Sequence, residues 1–193
     1  MNRPEIEAML RTHTPVDDQE SACKRRLLEV LPTPGEIFSK RFFTPGHFTA
    51  SAFVVSPDEQ RLLLIHHAHF GLWIQPGGHL DPEDSDLFSA AKRELSEETG
   101  LWAVHRPDWA PGILDLDVHD VPAGMKGQPA HQHYDVRFAF RAETLDVQAA
   151  TDAKAADWFS LDALDVVETD ASVRRAARRI LMRQRASRDT AGV

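Results

Sequence analysis

Gly77-Gly78-His79-Leu80-Asp81-Pro82-Glu83, followed ten residues later by Arg93-Glu94-Leu95-Ser96-Glu97-Glu98-Thr99-Gly100-Leu101, sets a glycine turn ahead of a helix that ends in crowded acid. At about 100° of rotation per residue, Glu94, Glu97 and Glu98 (i, i+3, i+4) fall on one side of that helix. Like charges at this spacing cost an isolated helix roughly 0.2–0.5 kcal/mol per pair. A divalent cation reverses the sign of the interaction, and Mg²⁺ and Mn²⁺ prefer such oxygen ligands together with phosphate and water. Phe88, Ala91 and Leu95 (i, i+3, i+7) make an apolar stripe beside the acids, which gives the helix a face to dock. Gly100 supplies the stop.

The whole pattern, glycine turn, apolar stripe and Arg-Glu-Leu-x-Glu-Glu-x-Gly-Leu, resembles the Nudix box. The resemblance implies a loop-helix-loop that binds Mg²⁺ or Mn²⁺ and cleaves a diphosphate linked to another group, with Glu94, Glu97 and Glu98 as metal ligands or water activators. Either Glu97 or Glu98 accepts the proton of the water, and Arg93, counted with the catalytic set, orients the glutamates. The box departs from the family in one place. Counting back from Arg93 puts Ser85 where the family has a glutamate, so the box is one residue longer here and Glu83 or Asp84 stands in for the missing acid.

Length and composition frame this reading. At 193 residues, 42% hydrophobic and 27% charged, the chain is long enough for one domain with additions. A net charge of −8 argues against nonspecific nucleic-acid binding and leaves an anionic substrate dependent on metal or local basic groups. The single cysteine, Cys23, excludes a disulfide framework or a Cys-rich zinc site within one chain. No apolar run resembles a signal peptide or a membrane span, and a cytoplasmic location is expected.

Residues 4 to 31 read as two helices, the second entered through Thr14-Pro15, that cap the domain or make a homodimer contact. Strands are expected at His47 to Val55, Arg61 to His67, Trp73 to Pro76, Gly112 to Val121, His131 to Arg141 and Ala156 to Ser160. In the fourth of these, Ile113, Asp115, Asp117 and His119 share one face and Leu114, Leu116 and Val118 the other. A short helix around Leu161 to Val167 and a last helix from about Asp170 to Arg188 follow. The fold class is α+β, and the resemblance implies a Nudix-type α/β/α sandwich with a mixed sheet. The expected organisation is a helical extension and loop at 1–44, the catalytic domain at 45–168 and an arginine-rich helix and tail at 169–193.

Histidine is the second unusual feature, with ten in the chain. His131 and His133, two apart on a strand, project from one face. With His47 and His79 they make a candidate second site for a transition metal such as Zn²⁺, Mn²⁺ or Fe²⁺. Isopentenyl diphosphate isomerases share the Nudix fold and use a His and Glu metal site that these four residues resemble, but Gly77 stands where their cysteine would be. Gln75, Gly78 and Arg137 are candidate substrate contacts. Asp115, Asp117 and Asp135 are candidates for a further metal ligand or a general base. The seven arginines of the last helix read as a solvated, dipole-complementing face in preference to a nucleic-acid surface. The expected function is metal-dependent hydrolysis of a small-molecule diphosphate, for instance a nucleoside diphosphate derivative. The alternatives are a Nudix-fold ligand-binding or regulatory module without turnover and, less favoured, an isomerase-like enzyme.

Overall fold

The computed structural model describes residues 1–68, 71–124, 127–150 and 153–191. The fold is organised by β1 (Gly46–Val55), a strand in which all ten residues are buried. Burial on both faces follows from what flanks the sheet. Phe48, Ala50, Ala52 and Val54 point into a core shared with α1 (Arg3–Thr12), α2 (Asp18–Val30) and α3 (Leu87–Thr99). Phe53 and Val55 point the other way, into a smaller core closed by α4 (Ala171–Ala191). The result is helices on both sides of a curled mixed sheet, the expected α+β arrangement.

Three strands divide the two edges of β1. β7 (His131–Ala142) runs parallel to it along its whole length, from Gly46 opposite Gln132 to Val55 opposite Arg141. On the other edge β4 (Gly77–His79) pairs with Thr49 to Ser51, and β2 (Arg61–His67) with Val54 and Val55, both antiparallel. The sheet extends through β3 (Trp73–Ile74) and β8 (Ala153–Ser160) on β2, and through β5 (Val104–His105) and β6 (Ile113–Val121) on β7. A 3-10 helix at Leu161–Val166 leads to α4. His69 and Phe70, in the histidine-rich turn after β2, lie outside the described residues.

Two details depart from the expectations. α2 is not entered through Thr14-Pro15. It begins at Asp18, because the Asp17 carboxylate accepts the Glu20 N–H at 2.7 Å and caps the first turn. In β6 the register slips between Ile113 and Asp115, so Leu114 joins the α4-side core while Ile113 and Leu116 face the other. A bulge adds one residue to one strand, which breaks the two-residue alternation and separates Ile113 from the face of Asp115.

α1 and α2 bury Ile6, Leu10, Cys23, Leu27 and Val30 in the same core as the sheet, so their apolar faces are used inside the chain. Glu20, wholly buried on α2, locks them in place. Its carboxylate accepts from Arg179 of α4 at 2.7 and 2.8 Å, from the Val16 N–H at 2.7 Å and from the Leu116 N–H at 3.2 Å, and it meets His13 Nε2 at 2.6 Å. Burial pushes this carboxyl upward, but His13, Val16 and Arg179 outweigh it and hold it below the ordinary value.

Removing one partner of a buried ion pair leaves a desolvated charge, so Arg179→Met is expected to cost about 3–5 kcal/mol in urea unfolding. Arg178→Met, on the exposed side of the same helix, should stay within about 0.5 kcal/mol. A carboxyl with a depressed folded pKa stabilises above its unfolded value of about 4.3 and stops doing so as pH falls through the folded one. The difference between wild type and Arg179→Met should therefore shrink on acidification.

Candidate active site

β4 is three residues long and every one of them holds something. The Gly77 N–H donates to Glu98 Oε2 at 3.0 Å. Gly78 lies against Glu94: a Cβ there would meet the carboxylate at 2.7 and 2.8 Å. The His79 carbonyl accepts from Arg93 Nη2 at 2.8 Å. Side chains alternate along a strand, so Gly78 faces α3 while Gly77 and His79 face the opposite side, where a Cβ on Gly77 would strike Ser51 at 2.4 Å. The two glycines are required because backbone packs where side chains would otherwise stand.

α3 presents the acids. The Asp86 carboxylate caps its start by accepting the Ser89 N–H at 2.7 Å, and Leu87, Ala90, Ala91 and Leu95 seat it on the core. Arg93 is the hub of the acidic end. Its Nε and Nη2 donate to both oxygens of Asp84 at 3.0 Å, and its Nη1 donates to Glu94 at 3.0 Å and Glu97 at 3.1 Å. Asp81 lies a further 3.7 Å from Nη1. One guanidinium thus faces four carboxylates, with Glu98 nearby on Gly77. The Asp84 bonds above all hold the Arg93 pKa above its ordinary value. Burial raises the Asp84 carboxyl, yet Arg93 and the Asp81 N–H hold it below the usual range. Glu94 goes the other way: burial raises it, and Glu97 and Asp81 add to the rise against the pull of Arg93.

Of the two acids that the sequence offers, Glu83 and Asp84, only Asp84 pairs with Arg93 among the described residues. Asp84 makes the fork with Arg93, its side chain only 6% exposed, whereas Glu83 is exposed and Ser85 bonds Ser89.

On the far side of β4 the histidines gather. His47 of β1 stands opposite His133 of β7 in the parallel ladder, and His133 stands opposite His119 of β6. The His47 ring centroid is 4.8 Å from that of His133 and 5.0 Å from those of His79 and His131. Ligating atoms of His47, His79 and His133 lie within 4.8 Å of one another, and among the described residues they form the only such group of three. His131 adjoins them, its Nε2 3.2 Å from that of His133. Burial first, then the neighbouring rings of His119, His47, His79 and His131, pull the His133 pKa down to about 2.

The profile of the NUDIX domain family matches residues 45–184. This chain belongs to the NUDIX family. Solved structures give the same fold. A NUDIX-family hydrolase from Clostridium perfringens matches with a TM-score of 0.51 at 21% identity, covering 70% of this chain and 97% of its own. A MutT protein from Methanosarcina mazei matches with a TM-score of 0.51 at 18% identity, covering 71% and 94%. The NUDIX domain of Shewanella oneidensis NrtR, solved with ADP ribose, matches with a TM-score of 0.54 at 17% identity, covering 81% and 97%. A search of curated proteins found no match. The family match runs past residue 168 into α4, whose Val173, Ala176, Ala177 and Ile180 are core.

Within this NUDIX domain Arg137 is not a surface group awaiting substrate. It is 2% exposed and pairs with Asp135 at 2.8 Å, Asp115 at 3.1 Å and Asp117 at 3.1 Å, and it donates to Ser172 of α4. Arg175 of α4 adds a second guanidinium on Asp115, at 2.8 Å to each oxygen. The same network engages Asp115, Asp117 and Asp135, so all four side chains are paired with one another inside the domain. Gln75 is 8% exposed and its Oε1 has no hydrogen-bond partner among the described residues.

The arginine helix is largely explained by the same packing. Arg175 and Arg179 are buried in ion pairs, Arg174 donates to the Val167 and Thr169 carbonyls, and Arg183 to that of Ile113. Arg178, Arg185 and Arg188 remain exposed. No described helix is long and apolar enough to cross a membrane.

A hydrogen-bonded charge pair contributes roughly 1.5–3 kcal/mol, so Asp84→Ala should lower stability in urea by about that amount. Glu83→Ala and Ser85→Ala are expected to stay within about 0.5 kcal/mol. The ordering of the three variants checks which acid holds Arg93.

Proposed function

We propose that the chain is a metal-dependent hydrolase that cleaves the diphosphate linkage of a nucleoside diphosphate derivative or a related small molecule. The observation that carries this reading is the excess of acid at the end of α3. Asp84, Glu94 and Glu97 share one guanidinium, and Glu98 stands on the Gly77 N–H. Hard oxygen donors with uncompensated charge fit Mg²⁺ or Mn²⁺, and Glu94, Glu97 and Glu98 would hold the ion. When bound, the ion neutralises charge on the diphosphate and lowers the pKa of a coordinated water.

The chain's own residues supply the rest. Glu97 or Glu98 accepts the water proton. Glu97 is the exposed one of the two, while Glu98 is fixed by backbone. Arg93 is a positioning residue: its fork sets the separation of Asp84 from Glu94 and Glu97, and its bond to His79 ties that assembly to β4. Gly78 lets Glu94 approach the strand, and Gln75, two residues before β4, is the candidate substrate contact that remains. The ADP ribose named with the Shewanella structure puts that compound in the substrate panel.

Glu97→Gln and Glu98→Gln, assayed separately on the best substrate of a diphosphate panel with Mg²⁺ or Mn²⁺, are expected to reduce kcat by about 10²–10⁴-fold in the variant that has lost the base. Undiminished turnover in both overturns the assignment. Stoichiometric binding of a nucleotide diphosphate with no release of phosphate or monophosphate by wild type decides for a binding module.

A further inference from the structure

Three imidazoles with their donor atoms inside one 4.8 Å envelope are a different chemical object from the carboxylates across β4. Hard Mg²⁺ prefers oxygen, whereas imidazole suits the zinc class of first-row divalent ions. The ring environment is already arranged for such an ion. His47 is 0% exposed, and its Nδ1 lies 3.0 Å from the Phe42 carbonyl, an acceptor, so Nδ1 carries the proton and donates. In the neutral ring Nε2 is then a bare lone pair, and among the described residues no donor reaches it.

A buried acceptor left without a donor is destabilising unless something else occupies it. Hydrogen-bonding one ring nitrogen to a backbone carbonyl while the other faces inward is also how metal-bound histidines are held and oriented. His131 repeats the pattern, with Nδ1 donating to the Pro129 carbonyl at 2.8 Å and Nε2 turned toward His133. The backbone makes the convergence rigid: His47 and His133 are ladder partners, and His79 is held in register opposite Thr49.

We propose that His47, through Nε2, His79 and His133 bind a divalent transition-metal ion of the zinc class, with His131 beside them as a further donor, at a site separate from the glutamates of α3. The two sites share one strand. β4 sends Gly78 toward Glu94 and the His79 ring toward the imidazoles, while the His79 carbonyl holds Arg93. An ion on the histidine side pins the strand against which the acidic helix is set. The site stands or falls independently of diphosphate hydrolysis, because its donors include none of the carboxylates.

The test uses the full chain with any purification tag removed, stripped of metal and titrated with Co²⁺ as a spectroscopic stand-in for Zn²⁺. Saturable ligand-field absorption is expected, displaced by Zn²⁺ and not by Mg²⁺. His47→Gln and His133→Gln should each weaken Co²⁺ binding at least about tenfold. His79→Asn, at a half-buried ring, should do the same while disturbing the fold least. Glu97→Gln and Glu98→Gln should leave the spectrum and affinity unchanged. Zn²⁺ should raise the Tm of wild type and fail to raise that of folded His79→Asn, since a ligand stabilises only the state that binds it. Absence of a saturable Co²⁺ signal, its survival in folded His79→Asn, or its loss on substituting the glutamates overturns the proposal.

Discussion

A strand buried from end to end must find an internal partner for every polar group it carries, and β1 carries three polar side chains, His47, Thr49 and Ser51. Thr49 and Ser51 both donate to Asp135, at 3.0 and 2.9 Å. Asp135 in turn holds Arg137, Arg137 holds Asp115 and Asp117, and Arg175 of α4 completes the chain of charges. Burial raises the Asp117 carboxyl, but Arg137, His119 and Arg175 more than reverse it, so the group stays ionised well below the usual range. A network of this kind tolerates no half measures. Each charge is affordable in a dry interior only while its partner is present, which fixes the register of β6 and β7 and the seat of α4.

His47 is the member of that row the network does not finish. One nitrogen is satisfied by Phe42 and the other meets only rings. The polar row therefore ends, toward the start of β1, in a cluster of imidazoles, while the opposite face of the adjoining β4 meets a cluster of acids on α3. The division of donors by hardness follows from geometry: residues alternate across a strand, so one short element delivers glycine backbone to the carboxylates and an imidazole to the histidines.

What the sequence made legible was whatever depends on local period. β2 is found at its expected bounds, and β1 and β7 come within one residue of them, because alternation survives wherever a strand is regular. The acids of α3 were legible for the same reason at a period of 3.6 residues. The helix start at Asp18 was hidden because a proline at Thr14-Pro15 and an aspartate at 17 both mark helix entry, and only the bond from Asp17 to Glu20 separates them. The bulge at Leu114 was hidden because an inserted residue leaves no compositional mark. Asp115 and Arg137 looked like site residues since a charge on a strand is normally turned to solvent, and their pairing bridges 22 positions. The arginines of α4 misled in the same direction. A helix rich in one charge reads as a surface until the partners, Asp115 and Glu20, are brought from elsewhere in the chain.

The same logic separates what Arg93 does from what its position in the box suggests. A guanidinium beside a proposed diphosphate site is well placed by charge to bind phosphate, but its donors are already committed. Nε and Nη2 are taken by Asp84 and the His79 carbonyl, and Nη1 by Glu94 and Glu97. Turning it toward a ligand would release Asp84, whose side chain is 6% exposed, and loosen β4 from α3 at once. Arg93 therefore acts by holding, and in the proposed function the positive charge for a diphosphate would come from bound ions. Under the proposed function, bound cations would reconcile a net charge of −8 and a cluster of acid on α3 with an anionic substrate.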